Sequence, residues 1–252
     1  MSNHLKHTSA LKMLPVNKTV VFCSPFQGDD ETLVRTGTIG DGSCLFHSLL
    51  HGYSKEYVSM SNTDRVKYVR RLRASMAGKI DRHYLGNMGE GLIAKIPFQE
   101  NVIEILSGFY QFIVTDGHSG GRGTHNVIKR LLSGEDAKKH TEVYRIIIQL
   151  LPLNRGFEQV ILPRAYDKTE NGKIADCQRA IIAETIRYLR KSEELKQVDD
   201  EKQKFIKTMS EKLIQEIVNE AENIAYKNYV RGLKTVSEEI DTYTIELISE
   251  RF

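Results

Sequence analysis

The sequence predicts an α+β protein that is rich in helix. Three observations carry this: two short β-branched runs near the amino end, a switch from extended to helical spacing across Gly40-Asp41-Gly42-Ser43, and helical spacing through most of the last third. A chain of 252 residues with 40% hydrophobic composition can bury a substantial core, and its length suits one domain carrying a sizeable insertion. Lys plus Arg number 36 against 33 Asp plus Glu, for a net charge of +3. That balance supplies no general field for polyanions, so neither nucleic acid nor a membrane surface is predicted as a partner.

Residues 1–18 are polar, hold His4 and His7, and read as a loose arm. Thr19–Cys23 is rich in β-branched residues and stops at Ser24-Pro25, which makes it a short strand; Thr32–Ile39 reads as a second extended segment. The turn-forming cluster Gly40–Ser43 follows. From Cys44, the residues Leu45, Phe46, Leu49 and Leu50 fall at helical spacing, with Gly52 as the stop. A second helix starts with Asn62 or Thr63 as its cap and places Val66, Val69, Leu72, Met76 and Ile80 on one face. Arg70, Arg71 and Arg73 are read as lying off that stripe, on a solvated face.

In the middle third, Leu92–Ile96, Val102–Leu106 and Phe109–Val114 are apolar but interrupted by Pro97 and Gly108, so the period does not separate short helices from strands. Asp116–Thr124 (DGHSGGRGT) holds four glycines and reads as a loop. Backbone amides of such a loop can cradle a phosphate, yet no GK[ST] follows, so it is not a P-loop. Val143–Leu151 is apolar up to Pro152, and Pro163 with Asp167–Gly172 marks another boundary. Ile174–Leu189 has helical spacing. Ile206, Met209, Leu213, Ile217, Ala221 and Ile224 then keep the rhythm to about Leu233, a helix of about 45 Å packed against the domain. Glu238–Phe252 reads as one more short helix, starting near Asp241.

The longest apolar stretch, Ile146–Leu151, is far short of the roughly 20 residues that cross a bilayer, and the first residues show no apolar signal segment. Cys23, Cys44 and Cys177 form no CxxC pair and have no histidine at zinc-ligand spacing, so no metal is predicted and an intracellular setting with free thiols follows.

A thiol attacks carbonyl carbon as thiolate, and a helix amino terminus offers partial positive charge and free amides. Cys44 has that place, directly after a glycine-bearing turn whose amides can approach a substrate carbonyl as an oxyanion hole. On helix position alone, Cys44 also reads as a small buried hydrophobe, the commoner fate of a lone cysteine. Cys23 and Cys177 have only that structural reading.

The string Gly40-Asp41-Gly42-Ser43-Cys44-Leu45-Phe46-His47-Ser48 resembles the nucleophile motif of the ovarian tumour (OTU) family of cysteine deubiquitinases, D-G-x-C-L-F/Y followed by a polar or basic residue. The resemblance implies a helix-rich OTU-like fold of the papain superfamily over residues 19–252, with a helical subdomain inserted within about 85–200. It implies Cys44 as nucleophile, Asp41 as the residue that shapes the oxyanion loop, and the backbone of Asp41, Gly42 and Ser43 as oxyanion donors. Ubiquitin or a ubiquitin-like protein is the implied partner, with no cofactor. Tyr229–Leu233 and Tyr243–Phe252 are similar to a second family feature, a helix end and a helix of the type T-I-x-L-I, with Glu239-Ile240-Asp241 standing where the family has W-G-D.

In the family the catalytic histidine follows that last helix. None of His83, His118, His125 or His140 stands in the matching strand context, and His47 and His51 share the nucleophile's own helix. Three alternatives follow: the sequence is the amino-terminal piece of a longer protein; the histidine comes from an unusual place such as the Gly117–His125 loop; or the protein is an OTU-like scaffold without catalysis. Long helical insertions resemble those of OTU-like proteins of large DNA viruses, which implies host cytoplasm or virion as location. A remote alternative is a helical structural protein with a fortuitous D-G-x-C match.

Overall fold

A computed structural model of the chain describes residues 14–22, 33–83, 92–115, 120–131, 145–147, 157–167 and 174–238. Among the described residues it is helix-rich with one small two-stranded sheet, an α+β protein in the broad sense. The chain forms two compact units, one made of Met1–Gly78 with Gly232–Phe252 and the other of Lys79–Arg231. The second unit thus interrupts the first in sequence, over a longer span than the 85–200 expected from the motifs.

In the first unit, β1 (Thr19–Phe22) and β2 (Leu33–Thr36) pair antiparallel, with Thr19 opposite Thr36 and Phe22 opposite Leu33. The two threonine hydroxyls meet at 3.2 Å, a cross-strand pair of the kind that favours β-branched residues. Residues 14–18, read as part of a loose arm, are instead tied down. The amide of Asn17 donates to Gly37 O at 2.9 Å and that of Gly37 to Lys18 O at 2.9 Å.

Three helices follow: α1 (Cys44–Tyr53), α2 (Lys55–Ser59) and α3 (Asn62–Ala77). Ser54 turns the chain out of α1 in extended conformation and caps α2, accepting from Tyr57 N at 3.1 Å. The cap of α3 is Ser61, not Asn62 or Thr63: its hydroxyl accepts from Asp64 N at 3.2 Å and donates to Asp64 Oδ2 at 2.7 Å, which holds that carboxyl below the usual carboxylate range. Phe46, Leu50, Tyr57, Val69 and Met76 form the core of this unit, each fully buried apolar side chain contributing about 1.5–3 kcal/mol.

The second unit contains α4 (Leu92–Val114), α5 (Arg122–Leu131), a π-helical turn (Phe157–Ile161) running into α6 (Leu162–Asp167), α7 (Ile174–Arg190), α8 (Glu193–Lys196) and most of α9 (Asp200–Lys234). One helix passes through both Pro97 and Gly108, where interruption was expected. Gly108 serves packing, since a Cβ there would lie 2.2 Å from Thr124 Oγ1, which donates to Ile105 O at 3.1 Å. The glycine-rich run read as a loop to Thr124 is already helical from Arg122. Phe98, Val102, Val127, Ile181, Leu213 and Ile217 are buried here, and Cys177 joins them as a core residue. The helix expected over 238–252 falls outside the described residues, apart from Glu238.

Candidate active site

The first unit builds the segment around Cys44 from the turn outward. Gly42 has φ of 82°, a left-handed conformation, and a Cβ there would lie 2.7 Å from Val236 O. Glycine is required on both counts. Asp41 Oδ1 accepts from the Ser43 amide at 3.0 Å, closing an Asx-type turn, and accepts again from His47 Nε2 at 3.1 Å. Asp41 Oδ2 is buried and has no hydrogen-bond partner among the described residues.

The Cys44 side chain is exposed at the first residue of α1, which removes its reading as a buried hydrophobe. The helix begins with the bond from His47 N to Ser43 O, 3.1 Å. Ser43 stands in the capping position, yet its side chain makes no capping bond. The amides of Gly42 and Cys44 have no acceptor among the described residues, whereas that of Ser43 is taken by Asp41. Of these three amides, those of Gly42 and Cys44 are open to a further acceptor among the described residues.

His47, reached by neither the strand nor the loop readings of the sequence, is buried with both ring nitrogens engaged. Its Nε2 faces Asp41 and its Nδ1 faces the Tyr57 hydroxyl. A carboxylate oxygen only accepts, so Nε2 donates to Asp41 and Nδ1 accepts from the Tyr57 hydroxyl. Burial raises the Tyr57 phenol above its ordinary value, opposed by Arg65. Arg65 lies 5.2 Å over the Tyr57 ring and donates to Tyr57 O at 3.0 Å and Asn17 Oδ1 at 2.7 Å.

No protein-family model, curated protein or solved structure matches this chain. The chemistry of the site therefore stands on its own geometry.

Arg73 is the main residue that the sequence reading misplaced. Four positions after Val69 and three before Met76, it lies on the buried stripe of α3 and is 0% exposed, not solvated. Its guanidinium donates from Nε to Leu233 O at 2.7 Å, from Nη2 to Gly232 O at 2.9 Å and Thr235 O at 2.7 Å, and from Nη1 to Ser43 Oγ at 2.6 Å. Burial pulls this group below its ordinary value, with Asp41 and Glu238 opposing. Arg70 and Arg71 are exposed, as read.

Beside the turn lies an open cleft of about 720 Å³, lined by Asp41, Gly42, Val66, Arg70, Lys234 and Val236. Among the described residues no group of three His, Cys, Asp or Glu side chains is gathered to hold a metal ion. No helix among them is long and apolar enough to cross a membrane. His125, offered by the sequence as a histidine from the glycine-rich loop, sits on α5 in the second unit, its Nδ1 donating to Gly121 O at 3.0 Å. His118 lies outside the described residues.

Proposed function

We propose that the first unit is an OTU-like cysteine hydrolase acting on ubiquitin or ubiquitin-like isopeptide bonds, with Cys44 as nucleophile. The observation that supports this best is the exposed Cys44 at the first residue of α1, directly behind a turn whose Gly42 and Cys44 amides are open. In the reaction the Cys44 sulfur loses its proton and bonds to the scissile carbonyl carbon, the two amides hold the oxygen as it becomes anionic, and the C–N bond breaks as the proton given up by the thiol passes to the departing lysine amine. Water then cleaves the thioester and regenerates the thiol. Asp41 is a positioning residue in this scheme: it holds the turn through Ser43 N and does not touch the scissile bond.

A second reading, a catalytically inactive OTU-like protein that binds ubiquitin or another protein in host cytoplasm or virion, is favoured by the Asp41–His47 bond. That bond occupies Asp41 with a buried imidazole on the nucleophile's own helix, and among the described residues the Cys44 thiol has no hydrogen-bond partner.

A ubiquitin probe with an electrophilic carboxyl terminus separates the readings. On the hydrolase reading it labels wild type, does not label Cys44→Ala, and labels Asp41→Ala about tenfold more slowly, a loss smaller than that for removing a direct oxyanion donor. Binding of ubiquitin without labelling supports the inactive reading; labelling that survives Cys44→Ala removes Cys44 from the site.

A further inference from the structure

Ser43 holds the position at which a serine hydroxyl ordinarily accepts from the second or third amide of a helix. Here the hydroxyl accepts from Arg73 Nη1 at 2.6 Å and donates to Val236 O at 3.4 Å. It is turned away from α1, and the Cys44, Leu45 and Phe46 amides are left without an intrahelical acceptor. Arg73 itself is fixed from the other side by the carbonyls of Gly232, Leu233 and Thr235. A rigid five-donor fork held by backbone oxygens can keep a hydroxyl in one place, whereas a lysine ammonium cannot span the same set.

We propose that Arg73 is a positioning residue of the Cys44 site, which holds the Ser43 hydroxyl out of its capping place and so keeps the first turn of α1 open to anionic atoms at Cys44. The inference rests on the reading of Cys44 as nucleophile, but not on ubiquitin as substrate. Open amides at a helix start stabilise a neighbouring negative charge, and a capping serine in the same place competes for them.

The test is the rate at which iodoacetamide alkylates Cys44 in the full chain at neutral pH, followed by mass spectrometry of the Cys44 peptide, with folding checked by circular dichroism. Arg73→Lys frees the Ser43 hydroxyl to cap and is expected to slow alkylation about two- to fivefold, the equivalent of a helix-terminus effect of roughly 0.3–1 kcal/mol. Adding Ser43→Ala to Arg73→Lys restores the wild-type rate, which a general loosening of the fold would not produce. Ser43→Ala alone leaves the rate within about twofold, since no cap is lost. Slowing by Arg73→Lys that persists in the double variant overturns the proposal. So does acceleration of about fivefold by Ser43→Ala alone, which decides the matter even where Arg73→Lys does not fold. Absence of labelling by the ubiquitin probe, with these alkylation rates as expected, counts against the substrate and leaves the role of Arg73 standing.

Discussion

His47 Nε2 donates to Asp41 Oδ1 at 3.1 Å, to the same oxygen that receives the Ser43 amide. A turn in front of a helix and a side chain on the second visible turn of that helix are thereby held by one atom. The nitrogen on the other side of the ring is held by Tyr57. The imidazole behaves as a structural wedge whose orientation is set from both ends, and the turn that carries Gly42 inherits that orientation.

Tyr57→Phe is expected to destabilise the first unit by about 1–3 kcal/mol, because a buried His47 nitrogen loses its donor while the ring packing is kept. Urea unfolding monitored by circular dichroism checks this. A midpoint equal to that of wild type would mean that water reaches His47.

Gly42→Ala is expected to cost at least about 2 kcal/mol and to abolish labelling of Cys44 by the ubiquitin probe. The left-handed φ of 82° accounts for about 1–2 kcal/mol, and the approach to Val236 O adds to it. Gly52 on α1, where a Cβ meets nothing within 4 Å, serves as the control glycine. Equal stability of Gly42→Ala and Gly52→Ala would refute the close approach.

In the second unit, Glu220 is 2% exposed and accepts from Asn126 Nδ2 at 2.9 Å and Arg130 Nη1 at 3.0 Å. Burial alone would raise its carboxyl, but these two donors prevail and hold it below the usual carboxylate range. A folded value below the unfolded one stabilises at pH above the unfolded value, about 4.3, and that stability is lost as pH falls through the folded value. Wild type is therefore expected to exceed Glu220→Gln in melting temperature at pH 7 and to converge with it toward pH 3. A constant difference across that range would assign the effect to shape rather than charge.

The parts of the molecule legible in its sequence are those with long, regular spacing. Ile174–Leu189 and the stretch to about Leu233 emerge as α7 and α9, whose carboxyl ends fall within a residue of those expected, and the turn at Gly40–Ser43 marks the start of α1. Helix α2, five residues long, shows no period, and with it Tyr57 was invisible as a partner of His47. Arg73 reads as solvated by residue type alone, yet its spacing from Val69 and Met76 puts it on the apolar face. Besides the Ser43 hydroxyl, its partners are backbone carbonyls such as those of Gly232, Leu233 and Thr235, which have no side-chain signature to find.

Ser43 and Val236 touch across 193 positions of sequence. A ribosome making about 5–20 residues per second finishes the turn around Cys44 some ten to forty seconds before it supplies the segment that closes over Gly42. Contacts at such separation are the slowest to form, so the turn takes its final shape late, after the whole of Lys79–Arg231 has been made. During synthesis the nascent chain carries Cys44 on an unfinished loop, and the carbonyls that hold Arg73 and Ser43 arrive only with residues 232–236.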